Sequence, residues 1–340
     1  MPTQNSLENT YRKQLGLTLI ELMVALAIGS FLVIGSIQIY SQSREAFIIN
    51  ESIARVQETA QFAMDTIEAD LRMASNWGRT SRGLAIENRS IVGNLNPKPF
   101  NNVPAALVCG EDWVLDLGMP VDGANNTFNL PCAALGGVQA SSDLITVRRA
   151  SVAPQQPLLG RLQIQTTRIA GELFSDGLVP ALFVPPVDPL NPLPNESATH
   201  NLMVSSYYVA ADSNLIPGVP TLRRKSLVVN AGVSSIVDVE IAPGVENLQV
   251  QLGIDVDGDN TVDRYVNPGD DIYNPAAAGY VPGARVITAR VWIVVRGVTR
   301  ENGIIDNYTY QPGDVNLGTF SDDLRRMQVS KTILLRNTRT

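Results

Sequence analysis

The sequence predicts an α+β fold: one long N-terminal α-helix packed on an antiparallel, β-rich C-terminal head. Three observations carry that expectation. No proline occurs between Pro2 and Pro97, so nothing from Leu17 onward breaks a helix. Eight strand-like segments bounded by turn residues recur beyond residue 143. Charged residues make up only 17% while Gly (26) and Pro (21) are plentiful, which favours strands and loops over a helical bundle.

The helix is predicted in two halves. Residues 17–37 are 21 positions whose only charge is Glu21. At ~1.5 Å per residue the run is about 31 Å long, close to the hydrocarbon thickness of a bilayer. Arg12 and Lys13 lie just before it, which keeps that end cytoplasmic and sends the rest of the chain across. Past Tyr40 the pattern becomes amphipathic. Ile49, Ile53, Val56, Ala60, Ala63, Ile67, Leu71 and Ala74 are spaced by three or four, one face of a helix. Glu51, Arg55, Glu58, Asp65, Glu68 and Arg72 are left to water on this reading. Residues 17–76 thus read as one helix roughly 90 Å long, with Gly29 and Gly35 able to bend it.

Two plainer readings of the apolar run compete. A cleaved secretory signal would end in small-x-small, but the best candidate, Ile34-Gly35-Ser36, begins with a bulky residue. A simple signal anchor leaves Glu21 unexplained, since a carboxylate at mid-membrane costs on the order of 3 kcal/mol. Either Glu21 snorkels to the headgroups or a partner cation compensates it.

Composition narrows the function. Lys+Arg number 26 against 33 Asp+Glu, a formal charge of −7, and no basic face is available to neutralise phosphates, so nucleic acid is not an expected partner. The one histidine, His200, reads as a loop or surface residue and removes most acid–base schemes. No Gly-rich phosphate loop or Gly-x-Ser-x-Gly elbow occurs, and the chain is not expected to be an enzyme. Cys109 and Cys132, on the non-cytoplasmic side, are expected to form a disulfide. Strands are predicted over 144–147, 161–169, 202–210, 222–229, 237–241, 248–254, 285–298 and 329–336. Pro180 to Pro194, with six prolines, reads as an extended loop.

One segment has metal-site chemistry. Asp255, Asp257, Asp259 and Asp263 stand at positions 1, 3, 5 and 9 of a tight loop, with the Thr261 carbonyl at position 7. A hard cation such as Ca²⁺ takes six or more oxygens, and alternate residues of such a loop can aim theirs inward. Strand-like sequence on both sides predicts a hairpin mount. Asn260 replaces the Gly of an EF-hand and Val266 its final acid, so the pattern is closer to aspartate loops on β scaffolds. A merely solvated acidic turn is the alternative.

The run Gly16-Leu17-Thr18-Leu19-Ile20-Glu21, within residues 14–26, resembles the type III signal of type IV pilins and secretion pseudopilins. Residues 284–296, and 325–327 with 332–337, are similar to the late and C-terminal strands of PilW-type minor pilins. The resemblance implies that a prepilin peptidase cuts after Gly16 and N-methylates Leu17, where the family usually has phenylalanine. It also implies that Glu21 pairs with the terminal amine of a neighbouring subunit in the filament. The implied organisation is a leader over 1–16, a membrane and assembly helix over 17–40, and an amphipathic helix over 41–76. A loop-rich region with the disulfide follows over 77–142, then the head over 143–340 with the calcium-like loop 255–263. The implied function is initiation of type IV pilus assembly, at or near the tip, with adhesion and twitching motility downstream. The implied partners are other minor pilins, the major pilin, the prepilin peptidase and a large tip adhesin. Single-pass residence in the inner membrane, head periplasmic, precedes entry into the extracellular pilus. A J-type pseudopilin of type II secretion is the alternative.

Overall fold

The computed structural model describes residues 16, 18–87, 109, 112–168, 170–180, 197–230, 232–301 and 303–338. The leader before Gly16, Leu17 itself and most of the proline-rich stretch lie outside the described residues. The long helix is present as α1, Leu19–Met73, a single element of 55 residues. The chain divides into two compact units, the first ending at Glu51 and the second starting at Ser52.

In the first unit, α1 carries its apolar side chains outward on every side. Leu19, Ile20, Phe31, Leu32, Ile37 and Tyr40 are all exposed. Among the described residues, α1 is the one helix long and apolar enough to cross a membrane. The second unit takes the remainder of α1 together with the β-structure. There the predicted stripe is buried at Val56, Ala60, Ala63, Ile67, Leu71 and Ala74.

After α1 come β1 (Ile86–Glu87), the short α2 (Asp112–Leu115) and β2 (Val121–Ala124). The strands β3 (Leu144–Ala150), β4 (Leu159–Thr166), β5 (Gly171–Asp176), β6 (Ala198–Ala210), β7 (Thr221–Asn230) and β8 (Val233–Pro243) follow. Then come β9 (Val245–Asp255), β10 (Arg264–Val266), β11 (Arg285–Arg296), the paired β12 (Thr309–Tyr310) and β13 (Gly318–Thr319), and β14 (Arg326–Leu334). The larger sheet runs β1-β5-β4-β6-β3-β2, with β7 also on β6 and β8 on β7; a four-stranded sheet runs β10-β9-β11-β14. Each predicted strand is found. Those that escaped prediction include β2 and β5, and the β1–β5 pair is parallel, a departure from the antiparallel expectation. Short strands give too few residues for a period of two to emerge.

Both sheets share one core with the buried stripe of α1. Ile67 and Leu71 cluster with Tyr207 and Val209 of β6, and with Val250 of β9 and Val291 of β11. Full burial of each such side chain is worth about 1.5–3 kcal/mol, so this face of the helix holds the unit together.

Two expectations about polar residues are corrected. Glu68, assigned to water, is buried, and so is its neighbour Asp70. Glu68 accepts from Lys331 of β14 and from Arg72, and the Lys331 contact in particular holds its carboxyl below the usual range. Asp70 accepts from Arg149 of β3 at 3.0 and 2.9 Å and from the Tyr207 hydroxyl at 2.7 Å. Two acids on one helix turn thus reach different sheets. His200 is likewise not a surface residue. It sits in β6 with 4% exposure, its Nδ1 2.8 Å from the Ser151 carbonyl oxygen.

The His200 ring explains a glycine. Gly78 has φ +86, and a Cβ there would lie 2.4 Å from His200 Cδ2. Gly78→Ala combines left-handed strain with overpacking, and is expected to cost about 1–3 kcal/mol in a urea titration. An unchanged transition midpoint would show that the ring yields freely.

Candidate functional site

The start of α1 is locally self-capped. Thr18 donates its N–H and its hydroxyl to Glu21 Oε2, each at 2.9 Å, and the Glu21 N–H returns a bond to Thr18 Oγ1 at 3.3 Å. This is a capping box, in which the residue before the helix and the third residue inside it satisfy each other's orphan donors. The Thr-x-x-Glu spacing was the available signal, and sequence reasoning passed over it. Among the described residues no donor reaches Glu21 Oε1, so one oxygen stays open to a second partner. Gly16 is exposed just before the cap; Leu17 lies outside the described residues.

The acidic loop is mounted on a hairpin, β9 pairing with β10 from Ile254 opposite Arg264. Carboxylate oxygens of Asp255, Asp257 and Asp263 come within 4.8 Å of one another. Asp259, the fourth acid of the loop, stands outside that group. Its Oδ1 is taken by the Thr261 N–H at 2.7 Å and hydroxyl at 2.6 Å, because a short turn brings those donors closer than the other acids. Asn260 has φ 66, a left-handed conformation that asparagine tolerates better than most residues.

Asp255 already has a cation. Its Oδ2 accepts from Arg285 Nη2 at 2.7 Å and from the Asn260 N–H, and its Oδ1 accepts from the Gly258 N–H. Burial pushes this carboxyl up, but those donors outweigh it and hold it below the usual range. The loop can therefore stand without a metal, and an incoming divalent ion competes with Arg285 for one oxygen. The donor set of hard oxygens still fits Ca²⁺. Cys109 and Cys132, the expected pair, are bonded to each other.

Two family models match the chain. The prokaryotic N-terminal methylation motif covers residues 11–37, and type IV pilus-assembly protein W covers residues 206–337. The chain is a PilW-like minor pilin of the type IV pilus. No curated protein matches it. In this minor pilin the first match takes in Gly16, the Thr18–Glu21 cap and the apolar start of α1. The second runs from within β6 through β14 and includes the acidic hairpin.

Proposed function

We propose that this minor pilin helps initiate type IV pilus assembly and resides at or near the tip, entering the filament through α1 after cleavage behind Gly16. The supporting observation is the outward-facing apolar surface of α1 from Leu19 to Tyr40, whose one charge is the capped carboxylate of Glu21. Such a surface needs an apolar environment in the membrane and in the filament alike. Moving between them can then be near balanced, with the assembly motor supplying the difference. The capping box keeps Glu21 oriented by Thr18 until the amine of a neighbouring subunit supplies the countercharge, which offsets the cost of desolvating both. Other minor pilins, the major pilin and a large tip adhesin are the proposed partners, and the prepilin peptidase the processing enzyme. The family matched over residues 206–337 favours the pilus over a J-type pseudopilin.

Processing and incorporation separate in the test. Gly16→Ala should leave an uncut membrane form. Glu21→Ala should be cut and methylated at Leu17 yet be depleted roughly tenfold or more from sheared pili, as expected when one member of a buried pair is lost. Mass spectrometry of the mature N-terminus and immunoblots of pilus and membrane fractions read both. Normal pilus content of Glu21→Ala would sink the ion-pair role.

The hairpin is proposed as a Ca²⁺ loop using Asp255, Asp257 and Asp263, with the Thr261 carbonyl completing it. Saturating Ca²⁺, about 100 times its dissociation constant, should stabilise the protein by about 2.7 kcal/mol relative to EDTA. Asp257→Ala should erase the difference; Asp259→Ala should spare most of it. Superimposable melting curves in EDTA and millimolar Ca²⁺ would rule the site out.

A further inference from the structure

A cavity of about 470 Å³ opens in the second unit between the chain just past α1, the Gly83–Ala85 turn, the Asp271–Tyr273 turn and the C-terminal Arg336–Thr338 turn. That volume lies in the range of small-molecule sites, about 300–1,000 Å³. Met119, Leu84, Tyr273 and Tyr280 give it an apolar and aromatic wall. Its charged lining is all of one sign: Arg82 and Arg285, with no carboxylate among the described residues that line it. Chance alone would favour the opposite sign in a chain whose acids outnumber its bases 33 to 26.

The two arginines differ in commitment. Arg285 is answered by Asp255 at 2.7 Å. Arg82 is exposed, and among the described residues its guanidinium meets no carboxylate. A cationic ligand would be repelled here, and a purely apolar one would leave Arg82 unused. We infer that the cavity binds an amphipathic carboxylate, its aromatic or branched group against the tyrosines and Met119 and its carboxylate on Arg82. Such chemistry belongs both to a free organic acid and to the carboxyl terminus of a peptide chain.

The test uses the full chain in lipid nanodiscs, with N-acetyl-phenylalanine, its amide, and a tetrapeptide ending in phenylalanine as probes. Calorimetry gives affinities, and the Met119 methyl resonance, identified by Met119→Leu, reports occupancy. The acid should bind about tenfold more tightly than the amide or better, the scale of one charge-assisted hydrogen bond. Arg82→Gln should abolish that preference without changing the melting temperature. Tighter binding of the tetrapeptide than of the single residue would assign the site to a chain terminus, and equal binding to a free acid; both uphold the carboxylate site. No saturable shift of Met119, or equal affinity for acid and amide, overturns it. Neither result touches the assembly role, which is read from pili.

Discussion

Arg326→Met is expected to destabilise the protein by about 3–5 kcal/mol, the cost of leaving buried charges without their partner. The Arg326 side chain is 1% exposed. Its Nε donates to Glu246 of β9 at 2.6 Å, and Nη1 and Nη2 donate to the two Asp322 oxygens at 2.6 and 2.9 Å. Nη1 also lies 3.3 Å from Asp306, and the guanidinium sits 3.7 Å from the Phe320 ring centroid. One side chain thus fastens the start of β14 to β9 and to the chain on either side of the β12–β13 pair. Methionine keeps much of the volume, so the loss measures charge and hydrogen bonding. Arg326→Lys should fall between the two, because an ammonium cannot reproduce the planar fork. Urea titration of the three proteins decides it; a loss under about 1 kcal/mol for methionine would mean the acids relax into water.

The same cluster sets an acid limb. The Arg326 contact holds the Asp322 carboxyl below its ordinary value. A depressed carboxyl contributes stability above its unfolded pKa, near ~4, and loses it as pH falls through the folded value. Arg326→Met should weaken that part of the acid dependence.

Asp70→Ala is expected to cost about 2–4 kcal/mol, because it removes the acceptor for both Arg149 and the buried Tyr207 hydroxyl. The side chains of Asp70 and Arg149 are 9% and 16% exposed, so solvent screens the pair little. Glu68→Ala should cost less, since Lys331 and Arg72 are 40% and 54% exposed and can turn to water. A double-mutant cycle of Asp70→Ala with Arg149→Met should show a coupling of about 0.5 kcal/mol or more. Additive losses would assign the effect to Tyr207 alone.

The apolar run with Glu21 was legible because a membrane helix writes its character into consecutive residues, and the acidic hairpin because its acids lie within nine positions. Which aspartates converge was not legible. Asp259 turned to Thr261 through a local bond, while Arg285, 30 residues away, arrived at Asp255.

Periodicity and counting along the chain were enough to establish the long helix, its change from all-round apolar to one-sided, the place of the long strands and the pairing of the two cysteines. Folding in three dimensions was needed to make Glu68, Asp70, His200 and Arg326 interior groups. Each has a partner far off in sequence, 79 residues for Asp70 with Arg149, 80 for Arg326 with Glu246 and 263 for Glu68 with Lys331, even where Arg72 or Asp322 adds a local contact. A charge can leave water only where folding delivers its counterion, and no local pattern records where that will be.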